Sequence, residues 1–600
     1  MAVERFDVVV VGTGWNGLIS AKTYLDFKPS AKLVLVDDQA SIGGVWNKEK
    51  IYPSLYAQIK FGLFEYSFYP MRREGITNDG YISGETINQY LVDFARDYDL
   101  TRRVRLNSKV IKVDRVPKSG EWQVDIEGGP SIKCAKLIYA SGATSHPVVP
   151  SWPQSAEFTT PIIHSSAVGT HLDQLSGIKR AVVVGAAKSA YDTVFLLLSN
   201  GVKVDWVIRE DGSGPMAIMP PTLFGFLNSM DVISTRVMAA FGASIMKTRG
   251  LAYHFLQRTR VGRAVGDLFW RGVTLLADMH AGYSRTPNTE NLRPLPRGKG
   301  IFWANAGLGC ASVPNFWNVV HAGDCKIHRT EIDSLGGTST VTLRNGERLE
   351  TDYLILCTGF DKSYHPFSPS LQHQCGLAPG PADADKWAVL EAAAEDTVDM
   401  LLPTLRNAPV PKSVHEARRE VHETTAGDSQ PRKLLHGPSR HYRRLVVPEL
   451  AAAGDRSVYF PGFIHSIYTP LVSEVQALWG VAFLLDLVDV PSRDLMETEV
   501  AEWNVWCRKR YLAQGRKHAY AIFDFLSYID TLLEDLGINI VRRRNPLTEL
   551  FMPVYPRNYR GLIDEFRAAL ARKHGHDRKS GISETTEDLD WEQGWGEAGK

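Results

Sequence analysis

The chain has almost no excess charge of either sign: 68 Lys and Arg stand against 67 Asp and Glu over 600 residues, a net charge of +1. Without a global field to draw in a polyanion or an acidic partner, nucleic-acid binding is disfavoured from the start. Cysteine is scarce. The six at positions 134, 310, 325, 357, 375 and 507 form no C-x-x-C pair and have no His-rich neighbour at zinc spacing, so neither a disulfide framework nor a metal site is expected. No stretch reaches the about 18 uninterrupted apolar residues of a membrane span. The apolar start at Val8–Val11 follows Glu4 and Asp7 and is broken by Gly12, unlike a signal-peptide core. A reducing, cytoplasmic setting is the expectation.

What the chain does hold is core-forming material: 44% hydrophobic and 10% aromatic residues, and a length worth about four units of roughly 150 residues. Phe6–Val11 is a β-branched run of the kind that forms a strand buried on both faces, and Gly12-Thr-Gly14-Trp-Asn-Gly17 follows at once. Leu18, Ala21, Lys22 and Leu25 fall at helical spacing, and Lys32–Val36 returns as a second strand ending in Asp37. This predicts a βαβ dinucleotide unit. Gly12 permits the tight turn, Gly14 the approach of a pyrophosphate to the helix N-terminus, and Gly17 close packing of helix on sheet, while Asp37 is placed to accept a ribose hydroxyl.

A second copy is imperfect. Ala181–Val184 is another apolar strand, Gly185-Ala-Ala-Lys188-Ser189-Ala replaces the glycine motif, and Val202–Ile208 ends in Arg209. An arginine after the strand suits a 2′-phosphate, so NADPH is expected there and a cofactor with a free ribose at the first site. Two further strands end alike, Leu137–Gly142 and Leu354–Phe360 with Gly142 and Gly359 in the turns. Their positions on either side of the second unit predict a first domain interrupted by the second, with both strands in the first.

These motifs, in this order, resemble the class B flavin-dependent monooxygenases, the family of flavin-containing and Baeyer–Villiger monooxygenases, over about residues 5–490. Gly12–Gly17 resembles the family's FAD fingerprint, Gly43-Gly44-Val-Trp46 its G-G-x-W, and Cys357–Phe360 its T-G-[FY] signature. Phe158–Ser165, containing His164, is similar to its F-x-G-x-x-x-H-S linker with Thr160 in place of glycine, and Pro470–Trp479, containing Gln476, to its P-x-x-E-x-Q-A-x-W helix. The resemblance implies two Rossmann-like α/β domains, FAD bound at Gly12, Gly14, Gly17, Asp37, Gly44, Trp46, Gly142, Gly359 and Gln476, and NADPH at Gly185, Lys188, Ser189 and Arg209. It implies reduction of FAD by NADPH, capture of O2 as a flavin C4a-peroxide, and oxygenation of an apolar substrate on nitrogen or sulfur or beside a ketone. A flavin dehydrogenase or oxidative cyclase on the same fold, and a non-catalytic dinucleotide sensor, are the rival readings.

The family's reaction-deciding position falls at Gln58, within Tyr52-Pro-Ser-Leu-Tyr-Ala-Gln58, and matches neither the asparagine of one branch nor the aspartate of the other. Gln58 and His164 are the catalytic candidates, with Arg293, or Arg297 beside it, as the guanidinium of the Baeyer–Villiger branch. Expected boundaries are a first FAD part at 1–165, an NADPH domain at 166–350 with a helical insertion about 216–280, a second FAD part at 351–500, an external helical extension at 501–575 and a disordered acidic tail at 576–600. Phe61, Phe64, Tyr66, Phe68 and Tyr69 suit either a core or the wall of a substrate pocket. The basic, Met-rich insertion is expected to form a helical subdomain of the NADPH domain. Covering the substrate entrance and resting on a membrane surface are the alternatives.

Overall fold

The computed structural model describes residues 3–580, apart from 118, 211, 304, 363, 379–382 and 411–439. Two parallel sheets organise it. In the first, the strand Val3–Val11 lies between Leu33–Val36 and Ser131–Tyr139, both parallel to it. Val8, Val9 and Val10 are wholly buried because helices or strands cover both faces of the sheet. Trp15–Phe27 is the crossover helix, as the spacing predicts. Beyond Ser131–Tyr139 the sheet divides: its first half pairs antiparallel with Trp122–Ile126, and its second half pairs parallel with Val458–Tyr459. The first domain is therefore discontinuous, and the strand that returns to it is Val458–Tyr459.

The second sheet runs Ile162–His164, Tyr353–Leu356, Arg180–Val184, Lys203–Ile208 and Cys325–Arg329, all parallel. This corrects two expected boundaries. His164 pairs with Leu356, and Val184 pairs with Leu356 on the other side, so both 162–164 and 353–356 belong to the second sheet rather than the first. The reason is steric as well as topological. A Cβ on Gly185 would lie 2.1 Å from the carbonyl oxygen of Cys357, as one on Gly12 would lie 2.4 Å from that of Ala140. Each fingerprint glycine packs under the end of its own neighbouring strand, so the two similar strand ends serve one domain apiece.

Between the sheets the chain crosses twice, and the crossings pair antiparallel as His146–Pro147 with Phe360–Asp361. The insertion carries short helices at Ser229–Ile233 and Arg236–Ala240 and a long one at Arg260–Ala281. It does not pack as a subdomain of the NADPH domain alone: Met230, Met238 and Trp270 share one core with the helices Thr469–Leu484, Arg493–Arg510 and Phe525–Asp535. Arg236 fastens this contact through Asp530 at 2.6 Å and Glu549 at 2.5 Å. Nor is the C-terminal extension external, because Trp506, Cys507, Tyr528, Ile529, Leu532 and Leu533 are buried. The last helix, Leu562–Ser580, runs past the expected start of the acidic tail, whose remainder lies outside the described residues. Ala384–Leu401 forms a further helix, ahead of 411–439, which lie outside the described residues.

Candidate functional site

The first cradle is assembled from the turn after Val11 and the loop after Val36. Gly12 has φ +107°, a backbone conformation that L side chains rarely adopt, and a Cβ on Gly17 would sit 1.9 Å from the Gly12 carbonyl oxygen. Gly14 differs. A Cβ there would meet nothing closer than the Gly44 Cα at 3.5 Å, so its bareness serves something other than the protein's own packing. Gly14 caps the helix without a side-chain bond, which leaves the first N–H groups free for an anion. Asp37 is buried, and its carboxylate accepts from the Thr13 N–H and hydroxyl, each at 2.7 Å, and from the Gln39 N–H at 3.0 Å. Burial raises its pKa, and the bonds from Gln39 and Thr13 oppose the rise. Three bonds leave about one lone-pair direction of a carboxylate for a ribose hydroxyl.

Opposite this turn, Gly44 approaches Gly14 so closely that a Cβ on Gly44 would lie 3.0 Å from the Gly14 Cα. Asn88, which the motifs do not reveal, holds the Gly43–Trp46 turn by donating to the carbonyls of Ile42 at 2.9 Å and Trp46 at 2.8 Å. Gly142, φ +83°, has open space where its side chain would be. Buried Asn16 Oδ1, Asn47 Oδ1 and Trp15 Nε1 have no partner among the described residues. A narrow slot between two glycine turns, uncapped N–H donors and unpaired amide groups fit a flavin dinucleotide.

The second cradle has the same plan with different chemistry. Ala187 caps Lys188–Ser199 with φ −104° and ψ −172°, close to Gly14 at −85° and −167°, and also without a side-chain bond. Alanine adopts this conformation freely, so the helix N-terminus stays open to phosphate although the glycine is lost. Lys188, expected on the cofactor, is instead paired with Asp192 at 2.5 Å and reaches the Tyr56 carbonyl at 3.4 Å. Asp192 is buried, which raises its pKa against the opposing pull of Lys188. Ser189 turns toward the buried Cys357 thiol. Arg209 is exposed at the strand end and makes no ion pair among the described residues. Arg329 ends the adjacent strand, which pairs it with Ile208; burial and then the nearby charge of Arg297 lower its pKa. Arg209 and Arg329 thus stand at the ends of neighbouring strands, Arg329 donating to the Gly214 carbonyl at 3.4 Å.

At the junction of the two domains, Gln58 lies on the strand Tyr56–Lys60. Its Nε2 is buried with no partner among the described residues, and a Cβ on Gly309 would lie 2.6 Å from it and 2.7 Å from the Met216 Cε. Gly309 thus makes room for the amide. His164 has both ring nitrogens engaged: Nδ1 accepts from the Ser166 N–H at 3.2 Å, and Nε2 donates to the Gly359 carbonyl at 3.1 Å. That assigns a neutral Nε2–H tautomer. Burial lowers its pKa, and the Gly359 bond opposes the fall. His164 ties two interdomain crossings together and has no free nitrogen for acid–base work.

Arg293 is corrected outright. Its guanidinium is held by Glu290 at 2.6 Å, Asp278 at 2.7 Å and Ser284 at 2.8 Å, over the Tyr283 ring. A charge so engaged braces the end of the insertion and is not available to a reacting centre. Gln476 accepts from the Gly462 N–H at 3.1 Å and donates to the Tyr528 hydroxyl at 2.8 Å, fixing the turn whose Gly462 packs on Asn16. Two residues earlier, Glu474 accepts from the Ser67 N–H and hydroxyl, both at 2.6 Å. Burial pushes Glu474 up to about 7, opposed by those Ser67 bonds. Of the clustered aromatics Phe64 and Tyr66 are core, Tyr66 packing between Phe94 and Trp15 and Phe64 lying edge-on to Trp15, whereas Phe61, Phe68 and Tyr69 are half-buried against it. Among the described residues no metal-ligating cluster occurs, and no helix is long and apolar enough to cross a membrane.

Residues 9–247 match the protein family described as pyridine nucleotide-disulphide oxidoreductase. The chain is 48% identical over 567 residues to FAD-dependent monooxygenase DEP4 of Alternaria brassicicola, covering 94% of this chain and 95% of that one. It is 35% identical over 587 residues to FAD-dependent monooxygenase rstn6 of Aspergillus nomiae, covering 94% and 98%. Among solved structures, a closed cyclohexanone monooxygenase superposes with a TM-score of 0.55 at 16% identity, over 97% of this chain and 98% of that one. Cyclohexanone monooxygenase from Rhodococcus sp. Phi1 bound to NADP+ does so with a TM-score of 0.52 at 14% identity, over 97% and 98%. These two likenesses are of fold.

Proposed function

Because this chain belongs to the family of FAD-dependent monooxygenases, we propose that it uses NADPH and O2 to place one oxygen atom in a sizeable apolar organic molecule. The second oxygen atom leaves as water, and NADPH leaves as NADP+. Bound FAD supplies the redox chemistry and the activation of O2. The chain's own residues bind, orient and shield. Gly12, Gly14, Gly17 and Gly44 shape the FAD slot, Asp37 offers a lone pair to the ribose, and Asn88 and Gln476 hold the turns that border it. Gly185 and the open N-terminus at Ala187 receive the NADPH phosphates, with Arg209 and Arg329 on the 2′-phosphate.

The observation that carries this reading is the unpaired amide of Gln58, buried where the strand after the FAD turn meets Gly309 and Met216. An uncharged donor there can hydrogen-bond an oxygen atom awaiting transfer and cannot hold a guanidinium by charge. Because Gln58 carries no charge to hold a guanidinium, transfer to nitrogen or sulfur is favoured over insertion beside a ketone.

Mass spectrometry of products formed from candidate substrates under 18O2 tests the proposal. Incorporation of one labelled atom, with one NADPH consumed per product, is the expected result, and oxidised product without label would replace the proposal with a dehydrogenase or cyclase. Gln58→Leu is expected to divert turnover to hydrogen peroxide, roughly tenfold more per NADPH, a size in line with losing one polar contact. Unchanged coupling would remove Gln58 from the site.

A further inference from the structure

The helix Arg260–Ala281 buries Trp270 and Ala277 on its inner side. A surface helix ordinarily turns a polar face to water. Here the outward face is apolar: Val261 is 68% exposed, Leu268 72%, Leu275 61% and Met279 68%. With Val265 and Gly272 these positions recur at intervals of four, three, four, three and four, one continuous stripe down a helix of 22 residues. Leu251 and Phe255, also exposed, precede it in the same insertion.

Charge is distributed just as unevenly. Between Lys247 and Ala281 lie Lys247, Arg249, Arg258, Arg260, Arg263 and Arg271 against Asp267 and Asp278, in a chain whose charge is balanced overall. Asp267 is itself paired with Arg271 at 2.7 Å. In helical projection Arg260 and Arg271 share one edge of the stripe with Asp267 and Asp278, so the excess of cations belongs to the insertion as a whole, with Lys247, Arg249 and Arg258 ahead of the helix. A second copy of the chain seated on this face about a twofold axis would bring like charges together. A hydrocarbon layer rimmed with anions complements both the stripe and the insertion's excess of cations.

From these features we propose that this insertion docks the enzyme on the surface of an anionic lipid bilayer, with the helix Arg260–Ala281 lying in the plane of the interface and its apolar stripe among the acyl chains. Docking there brings the enzyme to a phase in which apolar molecules concentrate. The proposal does not depend on the reaction proposed above, and its test reads no turnover.

The full-length, flavin-loaded protein is floated with vesicles of phosphatidylcholine containing phosphatidylserine, and with phosphatidylcholine alone. Co-flotation with the first, weakened by high salt and reduced roughly tenfold in the L268E/L275E double variant, is the expected result. A second measurement places a probe at Gly272→Cys, a position with open space around it, on a chain whose six cysteines are all buried. An environment-sensitive dye there should shift to the blue on adding the anionic vesicles. Absence of anion-dependent flotation, or flotation and dye response unaltered by the double variant, would overturn the proposal. Concentration-dependent self-association that the same variant abolishes, without flotation, would assign the face to a second copy instead.

Discussion

Replacing Gly14 and Gly17 by alanine, one at a time, separates what the cofactor requires of the first turn from what the fold requires. In Gly17→Ala the methyl would stand 1.9 Å from the Gly12 carbonyl oxygen, a backbone atom that cannot rotate away, so the helix Trp15–Phe27 must move off the sheet. Overpacking of this kind costs about 3 kcal/mol, against which the helix-propensity gain of alanine over glycine returns about 1 kcal/mol. Gly14 already has φ −85°, and the methyl would meet the Gly44 Cα at an ordinary 3.5 Å. Its loss as an N-cap costs no more than about 1 kcal/mol. The same methyl, however, occupies the approach of a pyrophosphate to the helix N–H groups. Charge-assisted bonds of that type contribute about 1.5–3 kcal/mol each, so losing one weakens FAD binding roughly ten- to a hundredfold. The assay pairs the 450 nm to 280 nm absorbance ratio of the purified protein with its unfolding midpoint after flavin removal. Gly14→Ala should lose flavin and keep its midpoint within a few degrees, whereas Gly17→Ala should lose both. Full flavin occupancy in Gly14→Ala, or an unshifted midpoint in Gly17→Ala, would refute the reasoning.

Arg209→Ala should lower efficiency with NADPH roughly ten- to a hundredfold and leave NADH nearly unaffected, because only the former carries the 2′-phosphate; equal losses with both would assign the residue to folding. Arg293→Ala, which removes the partner of Asp278 and Glu290, should lower stability by about 1–3 kcal/mol and leave the coenzyme preference alone, as urea unfolding and initial rates would report. For Glu474, a folded pKa of about 7 lies above the ordinary 4.5, so the folded form holds a proton that the unfolded chain releases. Its contribution to stability is therefore present at low pH and lost as pH rises from about 4.5 to 7. Glu474→Gln lacks this titration and should gain on the parent by on the order of 3 kcal/mol across that window. A pH-independent difference in denaturant midpoints would show that Glu474 is ionised throughout.

Much of the site is local in sequence and was legible there. A buried β-branched strand, a glycine turn, a helix and a second strand occupy residues 3–36, and each glycine's role follows from neighbours a few positions away. The second unit follows the same logic, and Ala187 keeps the N-cap conformation that Gly14 has. The discontinuity of the first domain could also be read from the order of the motifs, though not the strand that closes it. Val458 pairs with Leu137, and Leu356 with His164 and Val184. A parallel strand needs no particular neighbour in sequence, and two strand ends with the same glycine turn are indistinguishable until their sheets are known.

Side-chain availability depended wholly on tertiary structure. Arg293 and Lys188 carry the right charge at expected positions, yet Asp278 and Glu290 hold one and Asp192 holds the other. Asn88, Ser67 and Arg329 carry no motif and enter the site only because distant segments fold against it. The extension beyond Trp503 read as a surface appendage because charge alternates with aromatics. In the fold its aromatic and aliphatic residues complete a core with the insertion, while Arg236 pairs with both Asp530 and Glu549 at the seam. Sequence alone thus determined the two nucleotide turns, whose geometry is set by steric rules acting over a few residues. Which strand closes each sheet, which charges remain free and which apolar face stays uncovered were decided by tertiary structure, because each depends on contacts between residues tens to hundreds of positions apart.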